Sequence, residues 1–132
     1  MSTRSNLRPQ SVITDGAMAN TDVITSDITI LQSLTIGSYT YSWSGSSPIG
    51  AISVEVSNDY KVDAAGNVLN AGTWTAIYFT LNGSSVVNAA PVSGNTGTGV
   101  IEWSTGCYAI RTLYTNTSGT GTMQAVIAGK VA

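Results

Sequence analysis

Apolar and polar residues alternate with a period of two through most of this chain, the signature of strands with one buried face. Ser38-Tyr-Thr-Tyr-Ser-Trp-Ser44 alternates strictly and places Tyr39, Tyr41 and Trp43 on one side. Ala51 to Ser57 continues the pattern, with Ile52, Val54 and Val56 inward. Gly45-Ser-Ser-Pro-Ile-Gly50 between them has turn composition, so the two segments are expected to form a hairpin. The clearest hairpin is predicted further on. Cys107 to Thr115 and Thr122 to Ala128 are rich in β-branched and aromatic residues, and Asn116-Thr-Ser-Gly-Thr-Gly121 joins them. Tyr108, Ile110, Thr112 and Tyr114 share one side of the first segment, and Met123, Ala125 and Ile127 share a face of the second.

Shorter signals fill the remainder. Asp22 to Leu34 gives short β runs with Ile28, Ile30 and Leu34 inward and Asp27 and Thr29 outward. Asn58 to Gly72 is irregular, with room for a helical turn near Asp63 that Gly66 ends. Thr73 to Leu81 reads as a strand, Asn82-Gly83 as a positive-φ turn, Ser85 to Pro91 as a short strand ending or lying at an edge, Ser93 to Gly99 as a glycine-rich loop, and Val100 to Trp103 as a strand. Roughly eight strands separated by turns predict an all-β protein, an antiparallel β-sandwich of jelly-roll-like or Greek-key type. That single sandwich domain is expected over residues 21–132. Residues 1–20 hold no period and are expected to be an extended N-terminal arm: either a frayed end, or an arm lying along a neighbouring subunit with Leu7, Val12, Ile13 and Met18 as apolar anchors.

Composition narrows the classes of function. The length of 132 residues suits one domain with a core that needs neither metal nor disulfide. Only 9% of residues are charged, whereas 35 are serine or threonine, so the surface is wetted chiefly by hydroxyls, amides and backbone. A net charge of −2 without any basic stripe argues against nucleic acid as a partner. The longest apolar runs have four residues, too short for a membrane-crossing helix, and no secretory leader pattern follows Arg4 and Arg8. Folding in the cytoplasm of the producing cell is expected. The single cysteine, Cys107, allows no intrachain disulfide and reads as a small buried hydrophobe.

Candidate chemistry is sparse. With no histidine, neither a serine nor a cysteine relay can be assembled, and no helix-borne zinc motif is present. Glu55 and Glu102 both fall in strands and could be a glycosidase pair, although each is better explained as facing solvent or pairing with Arg111 or Lys61. Asp59, Asp63 and Asn67 share one loop and offer oxygen ligands of the kind calcium takes, but Asp and Asn also cap turns. The glycines of Ser93 to Gly99 are followed by neither a lysine nor a helix, so no phosphate loop is expected. Taken together, these residues predict a protein that is not an enzyme and carries no cofactor.

Several segments in order, Trp43-Ser-Gly-Ser-Ser-Pro-Ile-Gly50, Val54-Glu-Val-Ser-Asn-Asp59, Gly72-Thr-Trp-Thr75, Ile110-Arg-Thr-Leu-Tyr-Thr115, Ser118-Gly-Thr-Gly-Thr122 and Gly129-Lys130, resemble a loose class of small virion structural proteins of tailed bacteriophages. Within that resemblance Arg111, Tyr114, Gly119 and Gly121 are structural residues, and Arg111 is expected to meet Glu55, Glu102 or a backbone carbonyl. The resemblance implies a capsid decoration (cement) protein on the capsid surface of the virion, with the major capsid protein as partner, or else a head-fibre or tail component. It also fits a symmetric homo-oligomer, such as a trimer, that hides sheet edges. A receptor- or carbohydrate-binding module is the alternative, with Tyr39, Trp43, Trp74, Tyr78 or Trp103 as stacking platforms.

Overall fold

The computed structural model describes residues 6–31, 34–104 and 106–130, and the described chain is all-β and antiparallel. Its strands are β1 (Asn6–Met18), β2 (Val23–Thr25), β3 (Thr29–Ile30), β4 (Ile36–Ser57), β5 (Lys61–Val62), β6 (Val68–Asn70), β7 (Thr75–Ile77), β8 (Phe79–Leu81), β9 (Ser85–Val87), β10 (Ala90–Val92), β11 (Thr96–Trp103) and β12 (Ala109–Lys130). Ten of them form one hydrogen-bonded sheet, and β5 pairs with β6 as a separate two-stranded ribbon.

Two strands of 22 residues, β4 and β12, pair along their whole length and carry everything else. In one half of the molecule they are flanked by β1 on one side and by β11, β8 and β9 on the other. In the other half β12 is flanked by β2 and β3, and β4 by β7 and β10. Side chains from both halves, among them Ile13, Tyr39, Tyr41 and Met123 from the first and Ile52, Thr112 and Tyr114 from the second, line one interior space. The halves therefore face each other as the layers of a sandwich, and the two long strands run through both.

This arrangement corrects the predicted hairpins. Gly45 to Gly50 and Asn116 to Gly121 are not chain reversals. They lie beside each other in the middle of β4 and β12, where the register slips between Asn116 and Ser118 and again between Ser118 and Thr120. Ser47 (φ 48°) and Gly119 (φ 74°) leave the β region there. Residues that permit a departure from β geometry do not specify its angle, and here they make paired bulges at which both strands bend and continue. Glycine is required for the close approach: a Cβ on Gly119 would overlap the Ser47 carbonyl, and one on Gly45 would overlap the Thr120 carbonyl.

The N-terminal arm is also corrected. Asn6 to Met18 pair with Lys130 to Gly121 as an edge strand of the chain's own sheet. Val12, Ile13 and Met18 are buried in its core and Leu7 packs against that core, because a strand that covers one side of β12 gains more from burying its apolar side chains there than from leaving them free. They are not exposed anchors for a neighbouring subunit. Residues 1–5 lie outside the described residues.

The aromatic ridge faces inward as the alternation requires: Tyr39, Tyr41 and Trp43 are buried, and Tyr41 stacks on Trp43 at 5.9 Å with their planes 12° apart. Two of these rings, and Trp103 with them, have a glycine opposite. Trp43 pairs across the sheet with Gly97, Tyr41 with Gly99 and Trp103 with Gly37, and a Cβ on any of the three glycines would collide with the ring. Most of the sequence between Ser93 and Gly99 is thus strand, and its glycines accommodate aromatic side chains. In the segment after Asp22 the predicted parity fails at one point, since Thr29 is buried while Ile28 and Ile30 are only partly so. Leu31 fills the core position there, its N–H bonded to the Tyr108 carbonyl.

Candidate functional site

The described surface has one cluster in which aromatic, cationic and anionic side chains converge, and β12 supplies its centre. Arg111 lies directly across from Glu55 on β4, which in turn lies across from Ala76 on β7. Arg111 donates from Nε (2.9 Å) and Nη2 (2.8 Å) to the same Glu55 oxygen, Oε1. The two side chains are 24% and 22% exposed, so this is a half-buried surface pair and not a core one. Of the partners expected for Arg111, Glu55 is the one it meets.

Trp74, just before β7, covers the guanidinium, whose carbon sits 4.2 Å from the ring centroid. Tyr60 leans on the same indole at 5.9 Å with a 52° tilt. The indole N–H donates to the Ala71 carbonyl at 2.9 Å, which fixes the ring's rotation. Beneath it, Asp59 clasps the strand entering β7. Its Oδ1 accepts from the Thr73 N–H (2.6 Å) and the Ser57 hydroxyl (2.8 Å), and its Oδ2 accepts from the Thr73 hydroxyl (3.0 Å). The Thr73 N–H foremost, and then the Ser57 hydroxyl, hold the Asp59 carboxyl below the usual carboxylate range. An open groove runs beside the clasp along Val56, Ser57, Asn58, Asp59, Thr73 and Thr75.

The Asp and Asn side chains of the Asp59 to Asn67 loop are engaged in turn capping and in bonds within the chain. Asp63 accepts from the backbone N–H of Asn67 and of Ala65 and from the Asn67 side chain, and these bonds, Asn67 first, lower its pKa. Asp59 is engaged elsewhere, with Thr73. Among the described residues no group of three or more His, Cys, Asp or Glu side chains is placed to hold a metal ion. Glu55 and Glu102 are not brought together: Glu102 lies across from Ser38 near the start of β4, and Glu55 sits near its end. Cys107 is buried, and burial raises its thiol pKa, the opposite of what a reactive thiol needs.

Tyr114, Gly119 and Gly121 gather at the bend in the long strands, and the residue that joins the first two is one the sequence offered only as the start of a turn. Asn116 is 1% exposed. Its Oδ1 accepts from the Tyr114 hydroxyl (2.7 Å), and its Nδ2 donates to the carbonyls of Asn20 (2.9 Å) and Gly119 (3.1 Å). Tyr60 was missed as well, since it stands outside any alternating run. Among the suggested stacking platforms, Tyr39, Trp43 and Trp103 are core residues, which leaves Trp74 and Tyr78 at the surface.

No family model matches this chain, and no curated protein matches it in sequence. The fold is similar to that of the SPBc2 prophage-derived protein YomS, whose crystal structure superposes with a TM-score of 0.57 over 97% of this chain and 96% of that one. At 11% identity, that likeness is one of fold.

Proposed function

We propose that this protein is a non-enzymatic structural component of a phage virion, and specifically a capsid decoration protein that binds the major capsid protein from outside and stabilises the particle. The observation that carries the reading is the end-to-end likeness of fold to a prophage-derived protein of the same extent. The residue chemistry supports it. The half-buried charged pair and the Asp59 clasp are committed to internal contacts, and the weakly charged surface is suited to protein contact more than to nucleic acid. Mass spectrometry of particles purified from the source tests it, with the protein expected in many copies per particle. The purified protein should also co-sediment with capsids and raise their heat resistance. Its absence from particles would remove the proposal.

The Trp74, Tyr60 and Arg111 cluster favours a second reading, a glycan- or receptor-binding module of a head or tail fibre, because partly exposed aromatic rings with a polar edge beside a charged side chain offer a ligand both an apolar face and hydrogen-bonding groups. A shift of Trp74 fluorescence on adding glycans, without capsid binding, would select it.

A further inference from the structure

Three buried side-chain polar atoms lack a hydrogen-bond partner among the described residues: the Tyr39 hydroxyl, the Thr112 hydroxyl and the Trp103 indole N–H. Two of the three belong to side chains that line one space, the interior space between the layers of the sandwich. Tyr39 comes to it from β4 in the first half, where it pairs with Ile101 and Ile127, and Thr112 comes from β12 in the second half, where it pairs with Val54. They are 1% and 2% exposed, so bulk water reaches neither hydroxyl. A buried hydroxyl without a partner lowers the folding equilibrium constant by about a factor of ten, and two of them on one space, from opposite layers, need a shared explanation.

The space has the size to provide one. Its volume is about 10 Å³, room for a single water molecule and nothing larger. Ile13, Ile52, Ile101 and Met123 make much of the remaining wall, and no charged side chain lines it, so an ion would find no counter-charge there. Tyr114 also lines the space, but its hydroxyl proton is committed to Asn116. Burial raises the Tyr39 pKa, and the Cys107 thiol adds to the rise, so the Tyr39 hydroxyl keeps its proton and can donate it to a hydrogen bond.

We infer that this space is a binding site for one water molecule, which accepts from the Tyr39 hydroxyl and donates to Thr112 Oγ1. Both hydroxyls then have a partner, and β4 of one layer is joined to β12 of the other through the apolar interior. The sandwich is thereby linked by hydrogen bonds at a second point, apart from the bend that Asn116 holds.

The experiment is a double-mutant cycle on the full chain, read by urea unfolding, with a crystal structure beside it. Thr112→Val keeps the shape of the side chain and removes its hydroxyl, and Tyr39→Phe does the same at the other end of the bridge. With a water held between them, each single change breaks the bridge and strands the remaining hydroxyl, so each should lower the folding equilibrium constant about tenfold. The double variant should then cost no more than either single one, because it leaves no hydroxyl stranded. In a dry space each change would instead remove a hydroxyl that had no partner, so each would raise the constant and the two gains would add. That result would overturn the inference. The unaltered chain gives a reading that depends on no variant folding: at high resolution, a density peak is expected about 2.7–2.8 Å from both oxygens. An empty space, or a Tyr39 hydroxyl bonded directly to Thr112, would overturn the inference as well.

Discussion

Two polar clusters sit five residues apart on β12 and serve opposite ends. Asn116 is enclosed, and every polar atom of its amide is used within the chain, two of its three bonds reaching a bulge residue or the turn after β1. Arg111 stands at the surface, its side chain about a quarter exposed and its partners drawn from β4 and from the loop before β7. A buried amide has no alternative partner when a bond is lost, so it specifies geometry. An ion pair still reached by water adds little stability and orients what lies above it. The bend at Asn116 thus determines how the halves of the sandwich meet, and the Arg111 cluster determines how the Trp74 loop is presented.

That difference is tested first where it should be largest. Asn116→Ala removes three hydrogen bonds and leaves the Tyr114 hydroxyl and two carbonyls without their partner; unfolding in urea should show a loss of about 3 kcal/mol. Gly119→Ala acts on the same bend through the backbone. The φ of 74° and the Ser47 carbonyl in the path of a Cβ together predict a loss of about 2 kcal/mol by the same measurement. A loss below about 0.5 kcal/mol in both would mean that the bulges are not what hold the bend.

The same region shows what sequence reading could and could not reach. Period-two alternation located nearly every core residue of β4 and β12, because burial on one face is recorded directly in residue type. It could not tell Gly45 to Gly50 from a hairpin turn. Glycine, serine and proline report that the backbone leaves regular β geometry, and whether it reverses or bends depends on a partner strand 66 to 76 residues away. Asn82-Gly83 was legible because its positive-φ turn is closed locally, by the Ser84 N–H on the Leu81 carbonyl, and the bonds of Asn82 to Val100 only add to it. At the surface cluster, Arg111 stood out as a charge within a strand, and Glu55 was among its expected partners. Tyr60 and the Asp59–Thr73 bond were out of reach, since they join residues of an irregular loop that no period relates.

Arg111→Ala should show the contrast from the other side. It leaves Glu55 unpaired but still reached by water, and takes one contact from Trp74, so the expected cost is about 0.5–1 kcal/mol. The larger response should be local. Trp74 is partly exposed while Trp43 and Trp103 are buried, so quencher access to tryptophan should increase although the unfolding midpoint scarcely moves. A cost like that of Asn116→Ala would erase the distinction between the clusters.

The smallest effect should come from acid, and it separates the Trp74 loop from the sandwich beneath it. The Asp59 carboxyl is held below its ordinary range by the Thr73 N–H and the Ser57 hydroxyl, so its ionised form is favoured in the folded chain. A carboxyl whose folded pKa is depressed contributes its full share of stability above the unfolded value and loses it as the pH falls through the folded one. The clasp on Thr73 should therefore be intact at neutral pH and loosen only below the ordinary aspartate range, with Asp63 releasing Asn67 in the same direction. Trp74 fluorescence followed from pH 6 to pH 2 should change while the far-ultraviolet circular dichroism of the sheet still holds, and Asp59→Asn should remove that early change. If fluorescence and dichroism fall together in both proteins, the loop is part of the same cooperative unit as the bend, and the two clusters differ in exposure alone.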